Sequence, residues 1–169
     1  MPLPDLFNAE KQIAFFPGWS PPEPETGYCR FAAALELNGV VEADFMLQGG
    51  TYKYHPDQHV TLELRIGKPG LKRKVPLARI DWRSLTGGHS NKRGPKVPFA
   101  GMRVGNCHVH GFEINWVDIE QRMRTDLSQA EPLPSEIQSF ESLIEYAGKL
   151  FRISNIGVVE PPDWEYRLI

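Results

Sequence analysis

Two short apolar segments each carry a pair of ionisable residues spaced by two: Arg79 and Asp81 in Val75–Trp82 (VPLARIDW), and His108 and His110 in 106–116 (NCHVHGFEINW). On a strand, residues two apart share a face. Arg79 and Asp81 therefore line up with Val75 and Leu77, and His108 and His110 with Phe112, Ile114 and Trp116, on faces expected to pack inward. Two imidazoles buried side by side need a hydrogen-bond network or a metal to satisfy them. Metal-free phosphodiester cleavage would use His108 and His110 as acid and base near neutral pH and Arg79 as the cation over the developing charge. Metal-assisted chemistry would use a divalent ion held by His108, His110 and either His89 or Asp81, with one position left open. Residue types alone leave both open.

The stretch between the two segments, from about Arg83 to Gly105, is rich in Gly, Ser, Asn, Lys and Pro and is long for a loop in a small protein, and loops of such length are usually functional or mobile. Two strands that turn from apolar to ionisable at one end suggest a polar pocket at one mouth of the sheet, and this loop could fold His89 and Asn91 over it as candidate substrate contacts. Each residue also has an ordinary reading: a surface His-x-His pair, a same-face Arg-Asp salt bridge, a solvated loop histidine. Only convergence in space would make the set a site.

Charge marks the same region. The chain of 169 residues has 19 Lys+Arg and 21 Asp+Glu, a net charge of −2 that hides three blocks. Residues 1–64 carry −6, residues 65–103 carry +10 and residues 104–169 carry −6. The cations include Lys68, Lys72-Arg73-Lys74, Lys92-Arg93 and Lys96, and clustered cations attract phosphates by releasing counterions. Lys72, Arg73, Lys74, Lys92 and Arg93 are thus the candidate contacts to a polyanion such as single-stranded RNA.

The elements that must position these groups are mostly strands. Residues 28–37 and 40–47 are apolar runs joined by Asn38-Gly39, a pair suited to the positive φ angles of a type I′ hairpin turn. Residues 59–66 alternate, with Val60, Leu62, Leu64 and Ile66 on one face and His59, Thr61, Glu63 and Arg65 on the other. One amphipathic helix is expected near the C-terminus, opened by a capping box from Ser135 to Gln138 and carrying Ile137, Phe140, Leu143, Ile144, Ala147 and Leu150 inward. A short strand is expected within 158–169. The predicted fold is α+β: a curved antiparallel sheet of about five to seven strands, open or closed into a barrel, packed by one C-terminal helix.

Residues 1–27, with Pro2, Pro4, Pro17, Pro21, Pro22 and Pro24, read as a Pro-rich arm, and 28–169 as a single domain. Ile13, Phe15 and Phe16 are available to dock the arm. Mean hydropathy is −0.37 and apolar runs are short, which excludes a membrane-spanning helix. The first residues lack the basic leader and apolar core of an export signal, so a cytoplasmic location is expected. Cys29 and Cys107 are too few for a disulfide scaffold and read as reduced.

With Arg79-x-Asp81, His89-x-Asn91 and Cys107-His108-Val109-His110 in this order, residues 75–116 resemble small prokaryotic proteins related to the toxins of TumE-type toxin–antitoxin modules. That resemblance implies a cytoplasmic toxin acting on nucleic acid and restrained by an antitoxin-like partner. Three functions therefore stand beside one another: an RNA-cleaving enzyme; a non-catalytic module that binds nucleic acid or protein through 65–103; and a small-ligand β-barrel lined by Phe112, Ile114 and Trp116.

Overall fold

Period-two alternation becomes a seven-stranded, wholly antiparallel sheet in the computed structural model, which describes residues 1–67 and 72–166. The strands are β1 (Gln12–Ile13), β2 (Tyr28–Leu37), β3 (Val40–Tyr52), β4 (Val60–Ile66), β5 (Val75–Trp82), β6 (His89–Ser90), β7 (Arg103–Val104), β8 (His108–His110), β9 (Trp116–Val117), β10 (Arg122–Met123) and β11 (Glu131–Pro132). The helices are α1 (Leu3–Asn8), α2 (Phe112–Asn115) and α3 (Phe140–Phe151). Sheet order is β1-β2-β3-β4-β5-β8-β11, so the sheet is open, with β1 and β11 as its edges, and no barrel closes.

The β2–β3 turn has the expected conformation, with φ of 50° at Asn38 and 78° at Gly39. β3 continues through Gly49-Gly50, past the apolar run expected over 40–47. Bare backbone is needed there: a Cβ on Gly49 would collide with the Phe31 ring, and one on Gly50 with the Tyr28 hydroxyl.

One face of the sheet carries Val60, Leu62 and Leu64 of β4, Ala78, Ile80 and Trp82 of β5, and Val109 of β8, all at most 1% exposed. Leu143, Ile144, Ala147 and Phe151 of α3 join them in one apolar cluster. Each such aliphatic side chain contributes about 1.5–3 kcal/mol by leaving water. α3 begins four residues later than the Ser135–Gln138 spacing suggested. Its capping box is Ser139 with Ser142, while Gln138 folds back to donate to the Ser135 carbonyl at 2.6 Å. Ile137 is buried nonetheless, in the turn before the helix.

The N-terminal arm is docked. Leu3, Phe7 and Ile13 belong to the core cluster, and the Phe7 ring stacks on Phe112 at 4.5 Å. Phe16 and Trp19 meet Phe31 edge-on at 5.2 and 4.8 Å, whereas Phe15 stays 74% exposed. Lys11 is fully buried here, its ammonium donating to the carbonyls of Phe7 (2.7 Å) and Ala9 (2.6 Å). Burial, with Arg152 nearby, lowers its pKa to about 8.

Three further expectations change. The strand expected over 106–116 ends at His110, because Gly111 starts the single turn of α2; Phe112, Ile114 and Trp116 therefore line no barrel interior, and Phe112 stacks between Phe7 and Trp116. No strand forms in 158–166, and 167–169, like Lys68, lie outside the described residues. Among the described residues no helix is long and apolar enough to cross a membrane. Cys29 and Cys107 are free thiols.

Candidate active site

The face of the sheet opposite Leu62 and Ile80 is polar where β4, β5 and β8 meet. Register places Thr61, Asp81 and His108 in one cross-strand row and Glu63, Arg79 and His110 in the next. The four residues picked out by their spacing thus converge, on the face that the core does not use. Val75 and Leu77 suggested the other assignment, but a register shift between Leu64 and Arg65 separates them from the regular alternation of Ala78, Ile80 and Trp82.

Asp81 is the hub. Its Oδ2 lies 3.3 Å from His108 Nε2 and 3.5 Å from His110 Nε2, and accepts from Arg79 Nε at 2.9 Å; its Oδ1 accepts from the Thr61 hydroxyl at 3.0 Å. Arg79 also brings Nη2 to 2.9 Å from His110 Nε2 and Nη1 to 3.9 Å from Glu63. Taken alone, burial would raise the Asp81 carboxyl, but its contacts with His108 and His110 and the charge of Arg79 hold it well below the usual carboxylate range. Burial lowers the His110 pKa, partly opposed by its bond to Asp81. Glu63 is raised by burial despite Arg65 and Arg79.

The far side of each imidazole is fixed by main chain. His108 Nδ1 donates to the Gly105 carbonyl at 2.7 Å and His110 Nδ1 to the Leu127 carbonyl at 2.6 Å, an assignment that follows from carbonyls being acceptors only. Both Nε2 atoms are thereby turned toward Asp81. His108 has an acceptor at each nitrogen, the Gly105 carbonyl and the Asp81 carboxylate.

Leu127–Ala130 form a strap over the histidines, each residue at most 9% exposed. Every carbonyl in it is held by a side chain: Leu127 by His110, Ser128 by His89 Nε2 (3.1 Å), Gln129 by Asn115 (2.8 Å) and Ala130 by Asn91 (2.8 Å). Asn115 and Asn91 also accept from the Gln129 and Ala130 amides, both at 2.9 Å. The strap is entered through Asp126 and Leu127, at φ of 54° and 46°. Such buried backbone needs partners, and these side chains supply them. Asn91, proposed from sequence as a substrate contact, is therefore saturated and buried, because its amide acts as a surrogate strand partner. His89 packs its ring 4.8 Å from that of His110 with Nε2 spent on Ser128, so Asp81 rather than His89 completes the donor set.

Next to the centre lies a groove of about 670 Å³ bordered by arm residues 17–21 and floored by β2, β3 and β4. Thr61 and Glu63 line it while contacting Asp81 and Arg79, so they connect groove to centre; sequence alternation had put them on this face without marking them as site residues. The cations expected to bind substrate fall elsewhere. Lys72, Arg73 and Lys74 line one recess with Arg124 and Thr125, and Lys92 and Arg93 line a second with Arg122, Arg124 and Thr125. Arg122 and Arg124, from the acidic C-terminal block, join the two into one cationic surface that block-wise charge had hidden. Arg124 Nε and Gln129 Oε1 are buried there without a hydrogen-bond partner among the described residues.

No protein-family model matches the chain, and no curated protein or solved structure matches it either.

Proposed function

We propose that the chain is an RNA-cleaving phosphodiester hydrolase of the toxin type, working in the cytoplasm and restrained by an antitoxin-like partner. The observation that carries this reading is the convergence of Arg79, Asp81, His108 and His110 on one patch of sheet, with Arg79 and Asp81 forming its more exposed edge. An arginine fork and paired imidazoles are the groups that phosphodiester cleavage requires, one for the charge that builds on the non-bridging oxygens and the other for proton or ion handling. The cationic surface shared by Lys72-Arg73-Lys74, Lys92-Arg93, Arg122 and Arg124 supports a polyanionic substrate. A protein partner that covered this surface would block substrate.

One observation favours a second reading, a non-catalytic RNA-binding module: His110 is fully buried and His108 is 4% exposed, as in a purely structural network. The two readings separate in one assay of the full chain with end-labelled single-stranded RNA and added divalent ions. Cleavage that falls at least about a hundredfold in both His108→Ala and His110→Ala, with the variants folded by circular dichroism, supports the enzyme. RNA bound but left intact by the wild type supports the module and ends the enzymatic reading.

A further inference from the structure

His108 and His110 are buried and do not line the groove. Their donor atoms, with that of Asp81, are grouped closely enough to hold a cation. Asp81 Oδ2 stands 3.3 and 3.5 Å from the two Nε2 atoms, and all three donors lie within 4.8 Å of one another. Ligands about 2.0–2.1 Å from a tetrahedral zinc ion are separated by about 3.3–3.4 Å, which the two Asp81–histidine separations match. Both imidazoles are oriented by Nδ1–H bonds to carbonyls, the outer support that metal-ligating histidines ordinarily have.

We infer that Asp81, His108 and His110 form a binding site for one transition-type divalent cation, and that Arg79 is its resident substitute. The Arg79 guanidinium bridges Asp81 Oδ2 and His110 Nε2 at 2.9 Å each, a position that an ion on those atoms would contest. Its side chain is 28% exposed, so it has room to withdraw toward Glu63 and the groove, where it would face substrate phosphate. With three protein ligands, a fourth position is left for water, whose pKa zinc lowers to about 7. The cation site rests on the same centre as the hydrolase reading but is read out by binding alone, so either can fail without the other.

The test is a titration of the chelator-treated full chain with Zn²⁺, and with Co²⁺ for its tetrahedral absorption bands, alongside thermal melting. One ion per chain binds, and at a free concentration about a hundredfold above Kd it raises Tm by about 5–10 °C. His108→Ala and Asp81→Asn weaken binding about a hundredfold or more. Arg79→Ala, at a partly exposed position that need not perturb the fold, keeps the one-to-one stoichiometry and tightens binding. The inference is overturned if the wild type binds neither ion, if His108→Ala binds as the wild type does, or if Arg79→Ala loses binding as His108→Ala does.

Discussion

The two faces of β4 and β5 differ by one residue of register and by the whole of their physics. On one, Leu62, Leu64, Ile80 and Trp82 are held by area removed from water, under α3. On the other, Thr61, Glu63, Arg79 and Asp81 are held by partners: a hydroxyl, a guanidinium and two imidazoles that are themselves tied to main-chain carbonyls. The apolar face tolerates imprecision, because hydrophobic burial has no direction. The polar face does not, because each buried group left unpaired costs about 1–3 kcal/mol. Burying two histidines against an aspartate demands a full set of partners, and the proposed function rests on that polar face.

Breaking the apolar face gives the largest expected loss of stability. Leu62→Ala, at a fully buried position, lowers unfolding free energy by about 2–5 kcal/mol in urea titration, and a loss below about 1 kcal/mol would remove Leu62 from the core. On the polar face, Asn115→Ala deprives the Gln129 amide and carbonyl of their partners, for about 1–3 kcal/mol, and speeds hydrogen exchange at the strap amides. Unchanged exchange there would show that the strap does not depend on this clamp.

Lys11 is the charged exception within the apolar cluster, and pH exposes it. Its folded pKa of about 8 lies below its ordinary 10.5, so between those values the unfolded chain binds more protons. Stability therefore rises as pH increases from about 8 to 10.5, and the contribution of Lys11 is least favourable below 8. Denaturant midpoints across that range should show the rise in the wild type and lose it in Lys11→Met. The smallest effect belongs to the surface. Replacing Lys72, Arg73 and Lys74 with alanine leaves stability within about 0.5 kcal/mol, and it flattens the salt dependence of RNA binding by about 0.7 for each phosphate no longer neutralised. An unaltered slope would move the RNA-binding surface away from this recess.

Much of this division was legible in the sequence, since both faces follow from alternation. The hairpin at Asn38-Gly39, the span of β5 and the sharing of one face by Arg79 and Asp81 and by His108 and His110 were readable because each rests on local geometry; the expectation that this shared face packs into the core was not met. What pairs across strands was not. Thr61 and Glu63 join the site only through the registers Thr61↔Asp81 and Glu63↔Arg79, which bring together residues 20 and 16 apart in sequence. The strap was invisible for a stronger reason: Leu127–Ala130 has no periodicity, and its burial depends on Asn91, 39 residues before Ala130. Asn91 itself looked like a ligand contact because a sequence cannot say whether an amide faces solvent or main chain. The strand through 106–116 was overrun at Gly111, where the apolar spacing persists but the backbone turns helical.

The most direct test of the polar face as a functional centre is single-turnover cleavage of single-stranded RNA by the full chain and by Asp81→Asn, each with zinc supplied and normalised to the folded fraction. Asn keeps the shape of Asp81 and removes the charge on which both histidines and Arg79 converge. A functional polar face predicts cleavage by the wild type and a drop of about a hundredfold or more per folded molecule in Asp81→Asn, with Leu62→Ala, similarly normalised, close to wild type. Equal cleavage by the wild type and Asp81→Asn, or no cleavage by the wild type, would contradict it.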